Sequence, residues 1–231
     1  MNLSDFAQAR NLVSLFLSRA DAKGTKPMLW AKRDGKWQAL AWDEVARRVC
    51  LLAEGLRGLG LKPGDRVMVV SENRPEWCIT DLAIMAAGCV TVPTYTTNTT
   101  RDHVHILENS GARAVIVSNA KMAKALIPAV QQTDLCEHVI GIEALPRTAQ
   151  AGGFTVYQWD ALLSGNATAA RRAVEERAAR MRREDLACII YTSGTGGAPR
   201  GVRQHHGMVL MNVAGCARII DDDFGWKDEV F

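Results

Sequence analysis

From residue 62 to residue 132 the chain alternates short apolar runs with amphipathic stretches, and this alternation limits the fold more than any other feature. The run 66–71, Arg-Val-Met-Val-Val-Ser, is too short for a helix and lacks polar alternation, which marks a strand buried on both faces. Pro75 opens a helical stretch to residue 87, in the first-turn position where its missing N–H costs no hydrogen bond. Residues 90–93 read as a second strand, 102–109 as a helix, 114–117 as a third strand and 120–132 as another helix. Strands alternating with helices form a parallel sheet, because each parallel pair needs a crossover and the crossover helices cover the sheet. The predicted class is α/β, with mostly parallel sheets and helices on both faces.

The flanks add elements to this frame. Residues 3–19 place Leu3, Phe6, Val13, Phe16 and Leu17 mostly on one side of a helix. Residues 28–32 and 37–42 form a hairpin turned at Asp34-Gly35, and a helix follows over 43–57, stopped by Gly58 and Gly60. Between 141 and 184 the pattern weakens to a small helix around Trp159 and a charged helix over 169–182, read as a peripheral connection. Residues 186–191 resume the sheet, and Asp221-Asp222-Asp223 reads as a polar turn before a last strand ending at Val230-Phe231. Trp30, Trp37, Trp42 and Trp77 are expected to fill the core.

Composition excludes several function classes. A formal net charge of +3 on 231 residues is too small for a nucleic-acid footprint. The arginines between 171 and 183 alternate with Glu175, Glu176 and other acids, as on a solvated helix face. No run approaches the ~18 apolar residues of a membrane span. The N-terminal region lacks the positive start of a signal peptide, and its amphipathic helix has few cations beside it; a cytoplasmic protein, at most peripheral to the inner face of a membrane, is expected. The six cysteines are scattered without a Cys-x-x-Cys pair and read as buried thiols. His103 and His105 lack partners at metal-ligand spacing and read as helix-start residues.

Directly after the strand at 186–191 comes Tyr191-Thr192-Ser193-Gly194-Thr195-Gly196-Gly197-Ala198-Pro199-Arg200-Gly201-Val202. Glycines let backbone N–H groups approach phosphate oxygens, hydroxyls add donors and the guanidinium offsets charge. Ligands of open α/β sheets bind at the carboxyl ends of strands, which is where this segment sits. The spacing fails the Gly-x4-Gly-Lys-[Ser/Thr] loop and the Gly-x-Gly-x-x-Gly dinucleotide fingerprint, so a nucleotide site of another design is required.

Residues 191–202 resemble the phosphate-loop signature of the adenylate-forming, AMP-binding enzymes, Tyr-Thr-Ser-Gly-Thr-Thr-Gly-x-Pro-Lys-Gly-Val, and His206 matches the histidine shortly downstream. Lys62-Pro63-Gly64-Asp65-Arg66-Val67, Asn73-Arg74-Pro75-Glu76-Trp77 and Ala86-Ala87-Gly88-Cys89-Val90-Thr91-Val92-Pro93 extend the similarity. The run Tyr95-Thr96-Thr97-Asn98-Thr99 is similar to the long-chain fatty-acid–CoA ligase branch.

The resemblance implies two steps: a fatty carboxylate attacks ATP to give acyl-AMP and pyrophosphate, and CoA then displaces AMP. It assigns Thr192, Ser193, Gly194, Thr195, Gly196, Gly197 and Arg200 to the ATP phosphates, Tyr191, Pro199, Gly201 and His206 to their support, and the hydroxyl of Thr192 to Mg2+. Gly196 stands where the family has Thr and loses a donor; Arg200 stands where it has Lys and keeps the charge in a planar fork. The family's downstream motifs, ribose-binding Asp and catalytic Lys have no match in the 231 residues. The expectation is therefore the N-terminal portion of an adenylation domain, with no catalytic residue of its own. The alternatives are a non-catalytic nucleotide-binding module, an acyl-AMP ligase without CoA, or an amino-acid adenylation domain.

Overall fold

The computed structural model describes residues 6, 8–146, 152–192 and 199–223, with side chains of the last helix described to residue 216. Helix α1 (Leu12–Lys23) starts where the Asn11 side chain accepts the Ser14 N–H at 2.8 Å. That cap sets the start well after the expected residue 3, although Phe6 is helical and buried. Strands β1 (Pro27–Arg33) and β2 (Lys36–Ala41) form the predicted hairpin. Asp34 and Gly35 both take positive φ, 50° and 77°, as the two-residue turn requires. Helix α2 (Trp42–Gly58) includes Gly58, and Gly60 at φ 89° turns the chain beyond it.

The regular part follows the sequence pattern: β3 (Arg66–Val70), α3 (Pro75–Ala86), β4 (Val90–Thr94), α4 (Thr100–Ser110), β5 (Ala112–Val117) and α5 (Ala120–Val130). Helix α4 has a reciprocal cap, Thr99 accepting from the Asp102 N–H while Asp102 accepts from the Thr99 N–H, and Gly111 closes it at φ 63°. Then come β6 (His138–Gly141), β7 (Thr155–Gln158), a 3-10 turn (Trp159–Leu163), α6 (Ala167–Ala178), β8 (Leu186–Thr192), β9 (Arg200–His205) and α7 (His206–Asp223).

Seven strands form one sheet in the order β7-β6-β5-β3-β4-β8-β9, parallel throughout except for the antiparallel β8–β9 pair. The pleat sorts side chains onto two faces. Val67 and Val69 of β3 join the core under α1, α2, α3 and α6, whereas Met68 and Val70 join the core under α4 and α5. Helices thus cover both faces, as the α/β reading requires.

Four expectations are corrected. The stretch after residue 141 is no peripheral connection: β7 extends the sheet beside β6, and Trp159 is 1% exposed, its indole N–H donating to Thr80 Oγ1 at 2.9 Å. The charged helix α6 is not wholly solvated, because Arg177 reaches inward to the Ala86 carbonyl and to Glu54, both at 2.7 Å. Trp30 and Trp37 stand outside the core at 44% and 66% exposure. Asp221-Asp222-Asp223 has helical backbone at the end of α7; the strand expected after it lies outside the described residues.

Candidate functional site

Strand β8 runs parallel to β4 and ends at Thr192; β9 returns antiparallel to it from Arg200. Thr192 pairs with Arg200, Tyr191 with Gly201 and Ile190 with Val202, so the Gly/Ser/Thr segment is the connection of a β-hairpin. It leaves the sheet at the carboxyl edge of the parallel strands, the ligand-binding edge of open α/β sheets. Ser193, Gly194, Thr195, Gly196 and Gly197 lie outside the described residues. Their two anchors do not. Thr192 and Arg200 are both exposed and face each other in register, bringing a hydroxyl residue and a guanidinium residue to the mouth of the loop.

Helix α4 fixes both stems. Tyr191, 3% exposed, donates its phenol O–H to Asn109 Oδ1 at 2.6 Å. His105 contacts the Pro199 carbonyl oxygen at 2.8 Å through Nε2. A carbonyl only accepts, so this contact requires Nε2 to carry the proton. The His105 ring also meets the Tyr191 ring edge-on, with centroids 6.3 Å apart. Positions 105 and 109 share one face of α4, one turn apart. That face grips the incoming strand at Tyr191 and the outgoing one at Pro199. Gly201 completes the arrangement, since a Cβ there would come within 3.0 Å of Tyr191 Cζ and 2.9 Å of Ile189 Cγ2. The glycine is needed because the Tyr191 ring occupies the space of a side chain.

His206 goes elsewhere. It lies at the start of α7, beyond the opposite end of β9, roughly 20 Å from Arg200 at ~3.3 Å per strand residue. Its Nδ1 accepts the Leu12 N–H at 3.4 Å and its own N–H donates to the Asp185 carbonyl at 3.1 Å. Burial pushes its pKa down to about 4, so it is neutral and ties the base of the hairpin to α1. The structure thus separates His206 from the other predicted residues.

A second polar group shares the carboxyl edge two strands away, roughly 10 Å at strand spacing. Glu72, just past β3, accepts from Ser118 Oγ at 2.5 Å and from Asn119 Nδ2 at 3.2 Å. Burial works against its charge, yet these bonds and nearby Arg74 hold its pKa below the ordinary value. Arg74 in turn meets Glu76 at 2.9 Å and Glu143 at 2.7 Å. Neither this cluster nor the grip of His105 and Asn109 was legible in the sequence, because each depends on the register of helices against the sheet.

Among the described residues no three His, Cys, Asp or Glu side chains gather to hold a metal. Mg2+ is commonly held by only one or two protein oxygens, with substrate phosphates supplying others. Thr192 offers one such oxygen.

Residues 16–231 match the family described as AMP-binding enzyme. A long-chain-fatty-acid–CoA ligase of Mycobacterium tuberculosis is 32% identical over 182 residues, 79% of this chain and 29% of the relative. Long-chain-fatty-acid–CoA ligase 6 of Rattus norvegicus is 28% identical over 95% of this chain and 32% of its own length. The chain therefore spans about a third or less of these relatives. Among solved structures, the A domain of carboxylic acid reductase from Segniliparus rugosus, in complex with AMP and a co-purified carboxylic acid, superposes with a TM-score of 0.76. It is 15% identical, over 99% of this chain and 42% of that one. A benzoate CoA ligase from Burkholderia xenovorans gives 0.69 at 24% identity, over 93% and 38%. At such identities the likeness establishes the fold.

Proposed function

This chain belongs to the AMP-binding enzyme family, and on that premise we propose that it supplies the ATP-phosphate grip of an AMP-forming long-chain fatty-acid–CoA ligase. The observation that carries the reading is the hairpin mouth, where Thr192 and Arg200 meet in register at the carboxyl edge of the sheet, with both stems held by α4. The fatty substrate is supported by the similarity to long-chain ligases in bacteria and mammals.

In the first step a carboxylate oxygen attacks the α-phosphorus of ATP, the bond to the bridging oxygen breaks, and pyrophosphate leaves with the electron pair. In the second, the CoA thiolate attacks the acyl carbon and AMP departs. The loop's part is electrostatic: a glycine- and hydroxyl-rich composition and the Arg200 guanidinium would offset the charge that builds on the leaving pyrophosphate. Thr192 is the residue that would hold Mg2+, which when bound offsets phosphate charge. Anchoring both stems fixes Thr192 and Arg200 before the reaction, so little reorganisation of these two is needed as charge develops.

The 231 residues cover about a third or less of the long-chain ligases they match, and on this reading they make no acyl-adenylate by themselves. The test is ATP–pyrophosphate exchange by the full-length protein with long-chain fatty acids, aryl acids and amino acids, followed by thiol consumption with CoA. Exchange and thiol loss with fatty acids are expected. Exchange confined to aryl or amino acids would overturn the substrate class; exchange without thiol loss would overturn the acceptor.

A further inference from the structure

A cavity of about 790 Å3 lies at the amino ends of β3, β4 and β8, on the edge of the sheet opposite the hairpin mouth. Its size is that of a small-molecule site. Gly64, Val90 and Leu186 line it where these strands begin, α6 and the turn after it form one wall, and Arg203 and His205 at the end of β9 form another. The floor is apolar, made of Met85, Cys89, Val90 and Met181, which are otherwise buried. Burial pushes the Cys89 thiol up to about 12, so the floor stays uncharged.

The charge on the walls is positive and largely unspent. Of the lining acids, Glu176 is paired with Arg172 and Asp185 with Arg182, two arginines that do not line the cavity. Arg177 is taken by Glu54 and the Ala86 carbonyl, both at 2.7 Å. The carbonyls of Ala178 and Met181, at the end of α6, are answered by Asn11 Nδ2 at 2.8 and 3.2 Å. Arg57 gives one N–H to the Leu61 carbonyl and has no acid partner among the described residues. The side chains of Arg180 and Arg203 have no partner of any kind among them. Glu184 is the one lining acid left without a partner there, so three guanidiniums stand against a single carboxylate. A concave site with low-dielectric walls focuses such an excess.

Guanidiniums are planar forks that suit carboxylates and phosphates. Arg57 belongs to α2, Arg180 to the turn after α6 and Arg203 to β9, so they can meet one ligand from more than one side. A planar carboxylate is met by one fork, whereas a phosphate monoester offers three oxygens and close to two negative charges. The apolar floor adds a place for an organic body. We propose that this amino-edge cavity binds a small organic phosphate monoester, with Arg57, Arg180 and Arg203 on the phosphate and Met85, Val90 and Met181 under the organic group. The hairpin mouth is roughly 20 Å away, the length of β8 at ~3.3 Å per residue, and the proposal does not rest on the function assigned to it.

The test is isothermal titration calorimetry of the full-length protein with phenyl phosphate, inorganic phosphate and phenol. Phenyl phosphate should bind more tightly than inorganic phosphate, and phenol should not bind. Arg180→Gln and Arg203→Gln should each weaken phenyl phosphate roughly tenfold, and Arg203→Lys should recover part of the loss through its charge. Both arginines are exposed, so unchanged melting temperatures will show that the variants fold. Arg200→Gln, at the other edge of the sheet, should leave this binding as it is. Absence of binding, or an affinity no better than for inorganic phosphate, would overturn the proposal. So would a loss caused by Arg200→Gln and not by Arg180→Gln or Arg203→Gln, which would give the probe to the hairpin mouth and leave the reading of that mouth standing.

Discussion

His105 holds the carbonyl of Pro199, at the exit of the phosphate segment, through one donated hydrogen bond. Such a residue acts by positioning. In the full-length protein, His105→Phe keeps a ring against Tyr191 but removes the donor and is expected to raise the KM for ATP several-fold while leaving the KM for the carboxylate unchanged. A general loss of fold would lower activity towards both substrates, so steady-state kinetics with each varied in turn distinguish the two. His105→Gln, which can still donate, should recover most of the difference. At this scale the sequence was informative where structure is local: the apolar run over 186–191 marked a strand, which the structure ends at Thr192 with Arg200 in register beside it. It was uninformative where a partner arrives from another element. His105 and Asn109 had only helical spacing to mark them, and His206, although similar in position to a family residue, folds away to cap α1.

At the scale of elements, the strands with dense apolar runs and the helices with caps were readable, and the short or exposed strands were not. β6 and β7 have four residues each, below the length at which alternation stands out. β9 shows an exposed, basic sequence, Arg-Gly-Val-Arg-Gln-His, because among the described residues it is the last strand in the sheet order and pairs with β8 alone. Trp159 marks the cost of that blindness. Its indole fills a fully buried position and donates to buried Thr80, so Trp159→Phe leaves both a void and an unpaired hydroxyl. A loss of about 2–3 kcal/mol is expected, measured as the shift in urea midpoint at constant slope. A loss within ~0.5 kcal/mol, the range of surface substitutions, would return the segment to the peripheral role its sequence suggested.

Across the whole molecule, buried titratable groups set the pH response. Burial lowers His103 and His206 to about 4, so the unfolded chain binds more protons than the folded one between about 4 and the ordinary histidine value, and stability rises with pH there. Burial pushes Asp81 up to about 6. The folded state then binds the extra proton between the ordinary aspartate value and about 6, and this contribution falls as pH rises through that window. The two histidines outweigh the one aspartate, so a net rise from pH 4 to 6.5 is expected. Asp81→Asn should steepen it by on the order of 2 kcal/mol across the window, read by urea denaturation at intervals of pH. Parallel profiles for the two proteins would show that Asp81 ionises normally in the fold.

The central claim is that Arg200, held opposite Thr192 at the hairpin mouth, meets the phosphates of ATP during adenylate formation. The most direct measurement is single-turnover acyl-adenylate formation by the full-length protein and its Arg200→Gln variant, over a range of ATP concentrations at saturating fatty acid. Losing a charge-assisted hydrogen bond of ~1.5–3 kcal/mol predicts a roughly 10–100-fold fall in the second-order rate constant for ATP, with Arg200→Lys retaining most activity. An Arg200→Gln variant that turns over ATP as the parent does would contradict the account.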